Sequence, residues 1–333
     1  MATLDIFNLK KTVISKDLSG KYILLYSKPK VGKTSFAAQI KRNLILASEL
    51  GTNAIDNLSV VPIMKWSDVK NVLRQLRDPK ARELYDTITF DTISLCADLV
   101  EKYICSREGV ENIRDVPYGQ GWKMVSKELQ ETLREITMLG FGLILICHSK
   151  EKASSYTDEN GDPISSVEPD LSKNTFTVVN SICDLIAYIG VEFDKDGNSH
   201  RYLYTRQTPT IFAGSRWKYL NSKIEFGYDE LVQAIGEAIE KQKELDGAVV
   251  VDKAEMVVEE QRPFTDVMEE AKNIWVNYVG GVEDEEEKEN RLRVINDIVQ
   301  RVFGKPIKLS QATPSQQDLV ELFINTCHDE LKL

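Results

Sequence analysis

The sequence predicts an α/β protein, a mostly parallel sheet flanked by helices, followed by a small C-terminal α-helical domain. Three observations predict it. Residues 22–40, YILLYSKPKVGKTSFAAQI, read as a buried strand, a turn rich in Lys, Pro and Gly, and a helix opening on Lys33-Thr34. Short apolar runs then alternate with stretches of helical spacing as far as residue 148, and a hairpin signal follows. From Phe264 onward the pattern is helical.

The elements follow in order. Tyr22 to Tyr26 is an apolar run and reads as a buried strand; NLILAS, 43–48, and Val60 to Met64 read as two more. Trp66, Val69, Val72, Leu73 and Leu76 fall on one face of a helix over 66–77. TITFDTIS, 87–94, is a strand ending in acid and hydroxyl residues. Helices are expected over about 93–106 and 121–139, around the polar loop SREGVENIRDVPYGQG. GLILICH, 142–148, is the next buried strand. Ser149 to Lys173 is expected to be a long polar loop of the kind that compact domains keep for function. Residues 184–193 and 200–206 flank DKDGNS as a hairpin, and KIEF leads into a helix over about 228–245. The sheet should therefore be largely parallel with an antiparallel edge. These signals divide the chain into a first domain over 1–245, a linker over 246–263 and an acidic helical domain over 264–333. The linker's apolar content is compatible with a short strand. In the last domain Gly304 marks a helix stop, and Thr313-Pro314 a helix start.

Composition narrows the function classes. Apolar residues make up 42% and charged residues 28%, the balance of a soluble globular protein. No apolar run approaches membrane-spanning length, and MATLDIFNLKK lacks the apolar stretch of a signal peptide. Cys96, Cys105, Cys147, Cys183 and Cys327 form no C-x-x-C pair and read as buried thiols in a reducing cytosol. His148, His200 and His328 are too scattered to suggest metal ligation. Net charge is −10, but residues 225–333 hold 25 acidic and 12 basic side chains. The remaining front part is slightly basic, so the overall charge does not argue against an anionic ligand there.

The turn Ser27, Lys28, Pro29, Lys30, Val31, Gly32, Lys33, Thr34, Ser35 has the spacing of a phosphate-binding loop. Such a loop turns successive backbone N–H groups inward, and Gly32 lets the backbone approach phosphate closely. Lys33 would reach the β- and γ-phosphates of a nucleoside triphosphate, and the Thr34 hydroxyl would bind magnesium. Ser27 stands where the usual pattern has its first glycine. Asp91 ends the run TITF and can hold the same magnesium through water; on its own it would be a helix cap. Glu49 follows the strand NLILAS at what would be the C-terminal edge of a parallel sheet. It can orient or deprotonate water, or simply begin a helix. His148 ends GLILIC at that edge and could contact a γ-phosphate, though a lone His is more often structural. Residues 197–224 hold Arg201, Arg206, Arg216, Lys218 and Lys223 and no acid, interleaved with Tyr202, Tyr204, Phe212, Trp217 and Tyr219. Basic plus aromatic suits single-stranded nucleic acid, and equally a hairpin with one wet face. Arg216 has a third reading, as an arginine that reaches a neighbouring subunit's γ-phosphate.

With these residues in this order the front domain resembles the RecA-like P-loop ATPases. More narrowly, it is similar to the phage-encoded members that act in single-strand annealing or recombination. SKPKVGKT, TITFD, LILICHSKEK and CDLIAYIG carry the resemblance over about residues 20–240. It implies ATP and magnesium as cofactors, Glu49 as the water-activating base and His148 as a sensor of the γ-phosphate. The stretches 107–121 and 149–172 would be the two DNA-facing loops. Arg114, Lys150 and Lys152 would contact DNA phosphates there, with Tyr118 and Trp122 as base stackers. Arg216 in AGSR matches a basic residue that acts on a neighbouring subunit's nucleotide; Gly214 stands where a second basic residue is common. The implied function is an ATP-dependent single-stranded DNA-binding recombination or annealing protein, assembled in rings or filaments with nucleotide between subunits, in the cytoplasm of a bacterial host. The alternative is an ATPase acting as a helicase, helicase loader or regulatory switch on a protein partner. The acidic tail is then either a solvated bundle or a docking domain for a replication or recombination protein.

Overall fold

The computed structural model describes residues 14–15, 18, 20–49, 55–56, 58–157, 159–251 and 262–332. The N-terminal segment and most of the linker predicted over 246–263 lie outside the described residues. The chain divides into two compact units, the described residues up to 251 and those from 262 onward.

The first unit is built on one sheet. Its strands are β2 (Tyr22–Ser27), β3 (Asn43–Ala47), β4 (Ser59–Pro62), β5 (Thr87–Asp91), β6 (Gly142–Thr157), β7 (Pro163–Pro169), β8 (Leu185–Phe193), β9 (Ser199–Tyr204), β10 (Gly214–Ser215) and β11 (Lys223–Glu225). A separate pair joins β1 (Ile14–Ser15) to β12 (Val250–Val251). The main order is β11-β9-β8-β2-β6-β5-β3-β4, with β10 beside β8 and β7 beside β6. Every pairing from β8 across β2 to β4 is parallel, and β9, β10 and β11 form an antiparallel edge.

Period-two alternation divides the core between two faces. Leu24, Tyr26, Leu46, Phe90 and Leu145 point to one side. They meet α2 (Trp66–Leu76), α4 (Ile93–Glu108), α5 (Gly121–Met138) and α6 (Lys173–Ile182). Ile23, Leu25, Ile45, Ile144 and Ala187 point to the other side, against α1 (Lys33–Gln39) and α7 (Tyr228–Asp246). Burial on both faces is why these strands read as unbroken apolar runs. The five residues that give the 66–77 stretch its helical spacing are the five that α2 buries. A short α3 (Pro79–Leu84) precedes β5; it buries none of its residues and so left no apolar stripe to read.

The segment 149–173 corrects the expected loop. Strand β6 continues nine residues past His148 and folds back on β7 as an antiparallel ribbon, with Ser149 opposite Pro169 and Thr157 opposite Pro163. Its side chains are mostly exposed, so polar composition alone read as loop. The second unit packs α8 (Phe264–Gly280), α9 (Glu285–Phe303) and α10 (Gln317–Leu331) around Val267, Ile295, Val320 and Phe323. Gly304 ends α9 in the left-handed conformation. All five cysteines are buried and free. Among the described residues no helix is long and apolar enough to cross a membrane.

Candidate functional site

Register brings the chemistry to one edge. Ser27 at the end of β2 is opposite His148 on β6, and Asp91 at the end of β5 is opposite Ile146 of β6 and Ala47 of β3. Glu49 stands two residues beyond Ala47. Four neighbouring parallel strands therefore deliver Ser27, His148, Asp91 and Glu49 to the same end of the sheet, where ligands of such sheets bind.

The loop between β2 and α1 takes left-handed backbone at Lys30 (φ 63°) and Gly32 (φ 114°). These turns make the concavity of N–H groups that receives anions. Ser27 needs no such freedom, because it is still in the strand. Its hydroxyl donates to the Lys28 carbonyl at 2.7 Å and accepts from Lys33 Nζ at 3.1 Å. The serine in place of the usual glycine thus becomes a partner of the loop lysine. Lys33 Nζ also donates to the carbonyls of Ser27 and Lys28, at 3.2 and 3.0 Å, and lies 3.3 Å from His148 Nδ1. Burial lowers the Lys33 pKa, opposed by the charges of Asp91 and Glu49. Burial likewise raises that of Asp91, against the bond it accepts from Thr34.

Thr34 Oγ1 donates to Asp91 Oδ2 at 2.7 Å. A hydroxyl and a carboxylate meeting at one point are hard oxygen donors. Among the described residues no cluster of three or more His, Cys, Asp or Glu is assembled to hold a metal. That sparse set fits magnesium, which draws most of its ligands from water and phosphate. Thr34 and Asp91 would hold it, and it would supply charge neutralisation at the phosphates.

Glu49 Oε1 accepts from Thr92 Oγ1 at 3.2 Å and lies 3.4 Å from His148 Nε2. A lysine ammonium can only donate, so Nδ1 of His148 accepts from Lys33 and Nε2 carries the proton toward Glu49. The result is a chain from Lys33 through His148 to Glu49, with Asp91 beside it. A triphosphate terminus drawn to Lys33 would lie next to a half-buried carboxylate, the arrangement that activates water.

The other predicted residues are more dispersed. Lys28, Pro29 and Lys30 form the exposed outer turn, Val31 is half-buried, and Ser35 is exposed on the first turn of α1. Lys28 Nζ pairs with Glu151 of the ribbon at 3.3 Å. Lys150 and Lys152 are not free cations: Lys150 donates to the Leu171 carbonyl and lies near Glu168 and Asp170, and Lys152 pairs with Glu168. Arg114 and Tyr118 lie on the two short turns between α4 and α5, and Trp122 opens α5. Tyr118 is 96% exposed and holds a left-handed backbone. Arg216 does not reach this site. It donates to Asp184 Oδ1 at 3.0 Å and to the Ser181 carbonyl at 2.8 Å, and Asp184 accepts from the Tyr22 amide. Tyr22 begins β2 and the loop follows its end, roughly 16 Å away along the strand. Any action of Arg216 on nucleotide therefore belongs to a second copy of the chain.

Thr92 escaped the sequence reading, and Arg201, read there as one of five basic residues over 197–224, was not placed at the loop. Thr92 orients Glu49, and its place beside Asp91 was the available signal. Arg201 of β9 donates to the Val31 carbonyl at 3.0 Å, a contact across 170 positions that no local pattern announces.

A family model described as an AAA domain matches residues 19–217. A Bacillus subtilis (strain 168) protein, the SPbeta prophage-derived uncharacterized protein YorG, is 31% identical over 339 residues, covering 98% of this chain and 99% of that protein. Among solved structures, the flagellar accessory protein FlaH of Methanocaldococcus jannaschii is 13% identical, with a TM-score of 0.36 over 63% of this chain and 85% of that one. A KaiC-like protein of Pyrococcus horikoshii OT3 is 15% identical, with a TM-score of 0.33 over 62% of this chain and 86% of that one. The phosphate loop, the residues gathered on one sheet edge and a family match over more than half its length establish that the chain belongs to the AAA-domain family of P-loop ATPases.

Proposed function

We propose that this chain hydrolyses ATP with magnesium, with Glu49 as the base that activates water, and that turnover is coupled to single-stranded DNA in recombination or annealing. The observation that carries the hydrolytic half is the convergence of Lys33, Thr34, Asp91, His148 and Glu49 on one sheet edge. Lys33 neutralises charge at the phosphates, and Thr34 and Asp91 would hold a magnesium ion that adds to that neutralisation. His148 senses the terminal phosphate, since its two ring nitrogens face Lys33 and Glu49. Assembly into a ring or filament would place Arg216 of one copy at the nucleotide of another. The prophage description of YorG supports a phage-derived ATPase working in a bacterial cytoplasm.

The DNA half rests on Tyr118 and Trp122. An aromatic almost wholly exposed in a left-handed backbone is costly unless it meets something, and a flipped base is a suitable partner. Arg114 on the preceding short turn supplies a cation for the phosphate chain. The ribbon favours the other reading, a protein partner, because its lysines are matched by Glu168 and Asp170 and its surface is not a cationic track. ATPase rate and particle size, measured with and without single-stranded DNA, separate the two. DNA-stimulated turnover with salt-sensitive binding is expected. Turnover indifferent to DNA, in a chain that does not bind it in ATP, would leave the loader or switch reading.

A further inference from the structure

The strand order polarises the phosphate loop. His148 and Asp91 belong to β6 and β5, and Glu49 follows β3, all on one side of β2; on the other side lie β8, β9 and β11. A nucleoside triphosphate whose terminal phosphate meets Lys33, His148 and Glu49 must send its nucleoside toward β8, β9 and β11.

On that side Arg201 of β9 stands against the loop. Its Nη1 donates to the Val31 carbonyl, and its guanidinium carbon lies 4.6 Å from the ring centroid of Phe226, the residue after β11. The Phe226 amide donates to the Arg201 carbonyl at 3.0 Å, and its ring meets buried Phe36 of α1 at 5.9 Å. A Cβ on Gly32 would fall 2.6 Å from Arg201 Nη1, so the guanidinium sits directly beside the loop's glycine. The cation is thus laid on an aromatic ring that is itself fixed by the core, while Arg201 remains exposed. Burying a guanidinium face on Phe226 beside a phosphate site leaves its other face for a second flat partner.

We propose that Arg201, backed by Phe226, is the platform on which the base of the bound nucleoside triphosphate stacks. The proposal rests on the nucleotide-binding reading of the loop and adds the subsite for the nucleobase. A planar delocalised cation placed over one ring attracts a second π face, and every base offers one. The platform reads the face of the base and not its edge, so it supplies affinity without choosing among bases. The bond to Val31 ties the platform to the loop, so phosphates and base are received by one connected unit.

Two other roles for Arg201 must be separated from this one, a brace for the loop and a direct phosphate contact. Calorimetric titration of the full chain with magnesium-ATP and with magnesium tripolyphosphate separates them, because the second ligand has the phosphates and no base. Wild type should bind ATP more tightly than tripolyphosphate. Arg201→Ala should weaken ATP binding about tenfold, the worth of one base stack, and leave tripolyphosphate binding unchanged. Arg201→Lys keeps the charge and a donor for Val31 but loses the plane, and should show the same pattern with an unchanged melting temperature. Equal losses for both ligands would make Arg201 a brace or a phosphate contact and overturn the platform. Unchanged ATP affinity in both variants, or wild type binding the two ligands equally, would also overturn it. Wild type binding neither ligand would overturn the nucleotide reading of the loop, and the platform with it; Lys33→Ala should lose both.

Discussion

At the scale of single residues, the site holds two ionisable groups that burial disfavours in their charged forms. The Asp91 carboxyl is pushed above its ordinary value of 3.8, so its ionisation opposes folding. The relative stability of the native state attributable to Asp91 is present below the ordinary carboxylate range and lost as pH rises through its raised folded value. Asp91→Asn should therefore raise the melting temperature of the nucleotide-free protein at pH 7, by a few degrees, with the gain shrinking as pH falls toward 4. The same change should weaken magnesium-dependent nucleotide binding. A lower melting temperature at pH 7 would mean that the Thr34 bond outweighs burial. Lys33 is displaced in the opposite direction, below 10.5, so its penalty operates in full at neutral pH, shrinks as pH rises past its lowered value and is gone above 10.5. Replacing Glu49 with Gln removes a base and keeps a hydrogen-bond acceptor for Thr92. Hydrolysis should fall by about 100-fold or more while nucleotide affinity is kept. Rapid turnover by this variant would remove Glu49 from the base role.

At the scale of elements, the ribbon β6–β7 and the turns before α5 offer different surfaces. Lys150 and Lys152 already have acidic partners in the ribbon, and exposed pairs of this kind contribute little to stability. Replacing both with Ala should leave single-stranded DNA affinity and its salt dependence close to wild type, by fluorescence anisotropy. Tyr118→Ala should weaken the same binding about tenfold if one base stacks there. A larger effect from the lysine pair than from Tyr118 would relocate the DNA surface to the ribbon. The ribbon also shows how far an element can be read from its composition. Alternating exposed polar residues satisfy a two-stranded ribbon and a loop equally well, and only cross-strand pairing, such as that of Lys152 with Ser166, distinguishes them. By contrast β2, β3 and β5 were legible because both of their faces are covered, so most residues are apolar and a buried polar one such as Thr89 must be satisfied within the sheet, here by Asn43.

At the scale of the whole molecule, each unit carries its own apolar core. A chain ending at residue 258 should therefore fold and bind nucleotide with wild-type affinity, by calorimetry. Loss of binding in a soluble, folded truncation would show that the helical unit completes the site. Arg216→Ala should spare nucleotide binding by the monomer and lower hydrolysis only at protein concentrations that support assembly; unchanged turnover at every concentration would confine Arg216 to its pair with Asp184. The sequence by itself determined the parallel sheet, the phosphate loop with Lys33 and Thr34, and the placement of Asp91, Glu49 and His148 at one edge of the parallel sheet. Each depends on local spacing and on apolar runs that burial on two faces requires. Only the tertiary structure decided that Lys33, His148 and Glu49 form one connected chain. It alone decided that Ser27 serves the loop lysine, that Arg216 stands at the far end of β2, and that Arg201 stands against Gly32. Those are relations across strands that neighbour in space but lie far apart in sequence, and they are fixed by strand order and register, which no window of residues encodes.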